Sequence, residues 1–264
     1  MGFRVLALSG FFTAVFTGVG AVVGSIWGLE GAVKMGIAFF FFSLALDLFS
    51  YWYSPGFILK KYRAKPCNEK WLDEMVKKLA RNAKVPKPKV YILPIDLPNS
   101  FATGRGKEYA VCLTEGLLSM NRGEIEGVIS HELWHIANRD IFIQSVTAVI
   151  SNVLLSTVVF APLALLLTKL AISEEREYRA DYYGSRFSRK PMDLANALSK
   201  MNEIARHNPM EGSLAFECLW IVNPFRREGF AGMLSTHPPT ARRVKRLEDM
   251  VHEGMPEPPE ATEV

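Results

Sequence analysis

Cysteine and histidine are both scarce here, with three of the first and five of the second in 264 residues. Cys67, Cys112 and Cys218 are odd in number and lack metal-ligand spacing. That argues against a disulfide framework and a cysteine-held metal, and agrees with a reducing compartment. A glycine-rich phosphate loop is missing as well, so an ATP site of that kind is not expected. The formal net charge of +4 does not point to nucleic acid. The basic residues concentrate beside apolar blocks and along Arg242-Arg243-Val244-Lys245-Arg246, where topology, anionic lipid or helix solvation accounts for them.

Charge is absent from Val5 to Trp27, and from Met35 to Tyr53 the one ionisable group other than tyrosine is Asp47. Each block can cross a hydrocarbon core of ~30 Å at ~1.5 Å per residue, so together they read as a transmembrane hairpin turning at Gly28-Leu29-Glu30-Gly31. A cleaved signal peptide is the competing reading of the first block, but the block is longer than a signal core and another span follows at once. Gly2 does not open a myristoylation motif, because Leu6 stands where Ser or Thr is needed. Lys60, Lys61, Arg63 and Lys65 follow the second span, whereas the opposite turn offers Lys34 beside Glu30. Both chain ends and the soluble part are therefore expected in the cytosol, anchored to the cell membrane. Tyr51, Trp52, Tyr53 and Tyr62 read as an aromatic belt at the headgroup layer. Gly20, Gly24 and Gly28 lay a smooth stripe on the first span, suited to close helix packing within the chain or to a homo-oligomer contact with a second copy. Asp47, costly inside a bilayer, is expected to pair with Arg4 or Ser9 at similar depth.

His131-Glu132-Leu133-Trp134-His135 is the most informative stretch. On a helix it sets two imidazoles one turn apart on one side with a carboxylate between them, the geometry of a zinc hydrolase. Zinc acidifies a bound water, and Glu132 is placed to take its proton during attack on a carbonyl and pass it to the leaving amine. Catalytic zinc commonly takes three protein ligands. In Glu174-Glu175-Arg176-Glu177-Tyr178-Arg179-Ala180-Asp181, Glu177 and Asp181 share a helical face, so one can bind metal while the other supports a ligand histidine. Glu174 and Glu175 read as a solvated face. Ile125, Ile129, Leu133 and Ile136 form the buried back of the first helix, with Trp134 packed beside them.

The segment Ser130 to Asp140 resembles the active-site helix of the HtpX heat-shock metalloproteases. Asn99-Ser100-Phe101-Ala102-Thr103-Gly104, Glu177-Tyr178-Arg179-Ala180-Asp181 and Ser235-Thr236-His237-Pro238-Pro239 match in the same order, and the paired apolar segments match too. The resemblance implies Glu177 as third zinc ligand, Asp181 as the residue orienting a histidine, and damaged or misassembled membrane proteins as substrates. It also sets His237 near the cleft, where the ring could donate to a developing oxyanion or the segment could simply form a rigid turn; both readings stay open.

The fold class expected is mainly α with a small β-sheet, comprising an N-terminal transmembrane helical hairpin and a zincin-type α+β metalloprotease domain with an inserted apolar helical hairpin. Residues 1–65 form the hairpin and basic linker, 66–254 the protease domain, and 255–264 a disordered acidic tail. Asn68 is expected to cap a helix from Glu69 to Ala83 with Trp71, Met75 and Leu79 on its apolar face. Strands are expected at Val90–Leu93, Asn99–Ala102 and Tyr109–Leu113. Asn99, Ser100, Phe101 and Ala102 form a candidate edge for an extended peptide, which main-chain hydrogen bonds would hold without regard to side-chain sequence. The apolar run 141–172 has Lys169 as its one charge. A single crossing would part His131 and His135 from Glu177, so two antiparallel helices, turning between Asn152 and Pro162 and continuous with the zinc-binding helices, are expected. His207 and His252 lack partners in the pattern and read as exposed.

Overall fold

The structure is a computed structural model describing residues 3–155, 160–171, 173–225 and 237–252. The tail at 255–264, Ser235 and Thr236 fall outside it, as do residues 156–159 of the expected turn in the 141–172 run. Helix α1 (Phe3–Gly24) and helix α2 (Gly28–Lys61) pack antiparallel, joined by a 3-10 turn at Ser25–Trp27. The turn comes before the expected Gly28–Gly31. Gly28 leaves it with φ of +78°, and Glu30 pairs with Lys34 at i,i+4, which suits the first turn of α2 instead. Ser9–Lys61 is apolar and long enough to cross a membrane.

The glycine stripe is used within the chain. A Cβ on Gly24 would lie 2.2 Å from the Gly31 carbonyl oxygen, and one on Gly20 would lie 2.6 Å from the Phe39 ring. Gly28 faces open space and serves the turn. Of the two uses expected for the stripe, packing within the chain accounts for Gly20 and Gly24, which α2 covers. Asp47 accepts a hydrogen bond from Thr13 Oγ1 at 3.1 Å, with Ser9 also bonding to it. Ser9 was expected; Thr13, one turn further along α1, was not.

Four strands make a mixed sheet: β1 (Lys65–Pro66), β2 (Lys89–Leu93), β3 (Ser100–Arg105) and β4 (Glu108–Thr114), in the order β1-β2-β4-β3. β2 and β4 are parallel and the other pairs antiparallel. The β3–β4 hairpin turns at Gly106 and Lys107, with Gly106 at positive φ. Helix α3 (Lys70–Asn82) begins after Glu69, which makes no side-chain cap. The predicted Asn68 cap is thus not formed, and the buried face is Leu72, Val76, Leu79 and Ala80.

After the short α4 (Glu115–Leu118), helix α5 (Arg122–Ala137) starts in a capping box between Asn121 and Glu124. Every residue from Glu124 to Ile136 is buried, so α5 is a central helix, not an amphipathic one. It lies among α3, the sheet, α8 (Glu174–Ser188), α9 (Pro191–His207) and α10 (Thr240–His252), whose apolar residues form one core. Helices α6 (Asp140–Leu154) and α7 (Ala161–Ala171) form a second cluster with the N-terminal pair, through Phe12, Phe16, Leu46, Val146, Ile150 and Leu167. They do not continue the flanking helices as expected. Arg139 is left-handed at φ +59° and breaks α5 from α6, and Ser173 is extended before α8.

Candidate active site

Helix α5 brings His131, Glu132 and His135 together, and α8 is held close enough to add a carboxylate. A Cβ on Gly184 would fall 2.8 Å from the His131 backbone nitrogen, so a larger residue there would force the helices apart. From that approach, Glu177 and Asp181 both face α5. One ligand atom from each of His131, His135 and Glu177 lies within 4.8 Å of the others. His131 Nε2 is 3.1 Å from His135 Nε2, and Glu177 oxygens stand 3.7 and 3.4 Å from the two rings.

The other ring nitrogens are committed outward. His131 Nδ1 donates to Asp181 Oδ1 at 2.9 Å and His135 Nδ1 to Asp140 Oδ2 at 3.2 Å, the tautomers that leave both Nε2 lone pairs aimed inward. Glu177 Oε2 is buried with no hydrogen-bond partner. Two converging imidazole nitrogens beside a buried carboxylate oxygen that makes no hydrogen bond, and has Arg243 at 3.5 Å, fit a divalent cation, and this nitrogen-and-oxygen set suits zinc. Asp140 escaped the sequence reading. It follows the left-handed break, five residues after His135, so no helical periodicity points to it; Arg176 of α8 bonds its carboxylate.

Glu132 accepts a hydrogen bond from Ser100 Oγ at 2.7 Å. Burial raises its pKa above the usual carboxylate range, although His131, His135 and the Ser100 bond pull the other way. Burial alone would lower His135, but Asp140 and Glu177 bring it up to about 10. Burial would raise Glu177, yet His237, His135 and Arg243 hold it well below its ordinary value.

Arg243 is the largest departure from expectation. Read in sequence as part of a solvated basic run, it is 1% exposed and sits behind the histidines. Its Nε and one terminal nitrogen donate to both Asp181 oxygens at 2.7 Å, and the other terminal nitrogen donates to the Ile221 carbonyl at 2.7 Å. Burial would raise Asp181, but this guanidinium keeps it below the usual carboxylate pKa. The other basic residues of the run, Arg242, Lys245 and Arg246, are exposed, with Arg246 stacked over Tyr178 at 3.6 Å.

β3 lies at the edge of the sheet, but the expected peptide track Asn99–Ala102 is buried throughout, and its first two residues are bonded to the segment at Ile221 and Val222. Ile221 N donates to Ser100 O at 3.1 Å, and Asn99 Nδ2 donates to Val222 O at 2.7 Å. Phe101 is buried against Tyr62 and Trp220. His237 Nε2 donates to the Trp220 carbonyl at 2.6 Å, which ties the ring to this same segment. Trp134 is 6% exposed and stacked on Tyr183, a packing role as expected. His207 and His252 are exposed.

Residues 66–251 match the family model described as Peptidase family M48. A curated "Protease HtpX homolog" of Pyrococcus abyssi is 42% identical over 278 residues, covering 92% of this chain and 94% of that protein. Another from Pyrococcus furiosus is 39% identical over 287 residues, covering 96% and 98%. Among solved structures, Ste24p of S. mikatae covers 92% of this chain and 64% of that one at 17% identity with a TM-score of 0.48, a likeness too loose to carry an argument.

Proposed function

This chain belongs to peptidase family M48, as a membrane-associated metalloprotease of HtpX type, and from that premise we propose that it is a zinc endopeptidase working at the cytosolic membrane surface on damaged or misassembled membrane proteins. The observation that carries the zinc assignment is the pair of inward-facing Nε2 atoms beside the buried Glu177 carboxylate. His131, His135 and Glu177 are the ligands in this reading, and Asp181 and Asp140 fix the histidine tautomers. A bound zinc supplies Lewis acidity, polarising the scissile carbonyl and acidifying the attacking water.

Glu132 takes the proton from that water and delivers it to the leaving nitrogen, with Ser100 orienting its carboxylate through the 2.7 Å bond. His237 lies near Glu177, although its proton is given to Trp220 O. A role at the oxyanion therefore requires that bond to be exchanged for one to substrate. The domain division is an N-terminal pair of spans at 1–65, a protease domain at 66–254, and α6 with α7 lying against the spans. At ~1.5 Å per residue, α6 and α7 are ~22 and ~16 Å long, shorter than a ~30 Å core, which favours partial insertion over two full crossings.

The experiment is casein cleavage by the purified full-length protein in detergent. Activity should vanish with a chelator and return with Zn²⁺, and Glu132→Gln should be inactive throughout. Chelator-resistant cleavage, or cleavage by Glu132→Gln, would overturn the mechanism.

A further inference from the structure

Helix α2 carries Lys34 in its second turn and Trp52 about 18 residues later, ~27 Å further along at ~1.5 Å per residue. That separation nearly matches a ~30 Å hydrocarbon core, and Trp52 and Tyr53 are both exposed, as rings in a headgroup layer are. The β3–β4 turn reaches this same level. The Arg105 guanidinium lies 4.2 Å from the Trp52 ring centroid and 5.4 Å from that of Tyr51.

Arg105 has an acidic neighbour that it does not use. The hairpin register sets it directly opposite Glu108, a placement in which unlike charges attract. Among the described residues, however, its side chain forms no ion pair and no hydrogen bond, and it turns to the rings instead. Stacking takes up the flat face of a guanidinium and leaves its in-plane N–H donors open.

Those donors stand at a groove between α2 and the turn. Its volume of ≈ 530 Å³ falls within the ~300–1,000 Å³ of small-ligand sites. Pro55 and Gly56 line the α2 side, and a Cβ on Gly56 would meet nothing within 4 Å. Lys107, next on the turn, is exposed. Arg105 and Lys107 against Glu108 leave the rim with an excess of positive charge. A ligand suited to this place is anionic, presents several oxygens to a guanidinium fork, and has an apolar part to lie against Trp52 and Pro55 on the lipid side. A phospholipid satisfies all three, whereas a free phosphate lacks the apolar part.

We infer that the groove between Trp52, Pro55 and Arg105 is a headgroup site for an anionic phospholipid, with the phosphate held by the Arg105 fork and the acyl chains running along α2 past Trp52. This rests on the membrane-surface reading above and adds to it a ligand bound at one place.

The test is a titration of the full-length protein in detergent with phosphatidylglycerol or phosphatidylcholine, followed by native mass spectrometry. The unaltered protein should bind one phosphatidylglycerol in clear preference to phosphatidylcholine. Arg105→Gln should weaken that binding roughly tenfold or more, the worth of hydrogen bonds to a charged group. Arg105→Lys should weaken it nearly as much, because an ammonium keeps the charge but neither the fork nor the stack. Trp52→Leu should do the same, whereas Lys107→Gln should cost about fivefold or less, the share of one basic residue near an anionic surface. Melting temperature and zinc content in the same detergent identify a variant that does not fold, and Arg105→Lys, the mildest change, then carries the test. An unaltered protein that does not distinguish the two lipids overturns the site. Equal losses in Arg105→Gln and Lys107→Gln, which mark diffuse surface charge, overturn it too, as does full affinity in Arg105→Lys. Displacement of the lipid by an equal concentration of inorganic phosphate would assign the groove to a soluble anion and overturn the lipid. A chain recovered from the soluble fraction of cells overturns the membrane-surface reading instead, so the two failures are distinct.

Discussion

Arg243→Met would remove the cation from behind the histidines and leave the Asp181 charge with only the hydrogen bond from His131 Nδ1. Both residues are almost wholly buried, at 1% and 3% exposure, and two bonds of 2.7 Å join them. Stranding one partner of a buried pair costs ~3–5 kcal/mol, against ~0–1 kcal/mol for an exposed pair. Proton uptake by Asp181 caps the loss. Neutralising a carboxyl of ordinary pKa near 3.9 costs ~4 kcal/mol at pH 7 and ~1.5 kcal/mol at pH 5. The direction follows from linkage. In the unaltered chain the Asp181 pKa is lowered on folding, so its contribution is present above the unfolded pKa and is lost as pH falls through the folded one. In the variant the pKa is raised, so folding takes up a proton and becomes harder as pH rises. The gap between the two proteins should therefore widen from pH 5 to pH 7. At ~2–4 °C per kcal/mol for a chain of this size, the chelated variant should melt roughly 6–16 °C lower at pH 7. Thermal unfolding in detergent would measure it, with Arg179→Met, from an exposed i,i+4 pair with Glu175, as the control. Adding Asp181→Asn to the variant should recover part of the loss. A fall under 3 °C, or one that does not depend on pH, would refute the reasoning.

Metal analysis should find Glu132→Gln inactive but still binding one equivalent, whereas His131→Ala and Glu177→Ala should lose metal and activity together, because ligands and base are different groups. Ser100→Ala removes a bond that favours the charged form of Glu132, so the acidic limb of the kcat/KM profile should move to higher pH by roughly one to two units; no movement would mean that Ser100 does not orient the base. Gly24→Leu places carbon atoms where the Gly31 carbonyl lies and should reduce membrane insertion or lower the melting temperature, whereas Gly28→Ala should act through its positive φ alone and cost less.

The parts of the centre that could be read from sequence are those set by helical repetition. His131 and His135 one turn apart on α5, and Glu177 and Asp181 one turn apart on α8, needed only the 3.6-residue period to be paired. Asp140 lies beyond a left-handed residue, where that period stops. Arg243 was hidden by its neighbours. Arg242, Lys245 and Arg246 make the run look solvated, and only the packing of α10 against α8 and α9 turns one of its guanidiniums inward. The strands were placed closely, because Val90–Leu93 and Tyr109–Leu113 are apolar runs bounded by turns. What occupies the edge of β3 was not legible, since Ile221 and Val222 lie more than a hundred residues away and carry no local signal for pairing.

Charge balance joins the buried network to the chemistry. Glu132, Glu177, Asp181 and Asp140 are four buried carboxyls within one shell of contacts. Arg243 and Arg176 are the two guanidiniums that bond to this shell. With the histidines neutral and the carboxyls ionised, two negative charges remain in a site from which water is largely excluded. Isolated charges in such surroundings are costly, and both pKa values move toward the protonated form, that of Glu132 through burial and that of His135, against its burial, through Asp140 and Glu177. A divalent cation removes the excess and leaves Glu132 free to work as a base. The two arginines are then what make a four-carboxyl site compatible with a dication: with neither, the shell would still carry negative charge after the metal bound, and with one more cation the metal would have less reason to bind.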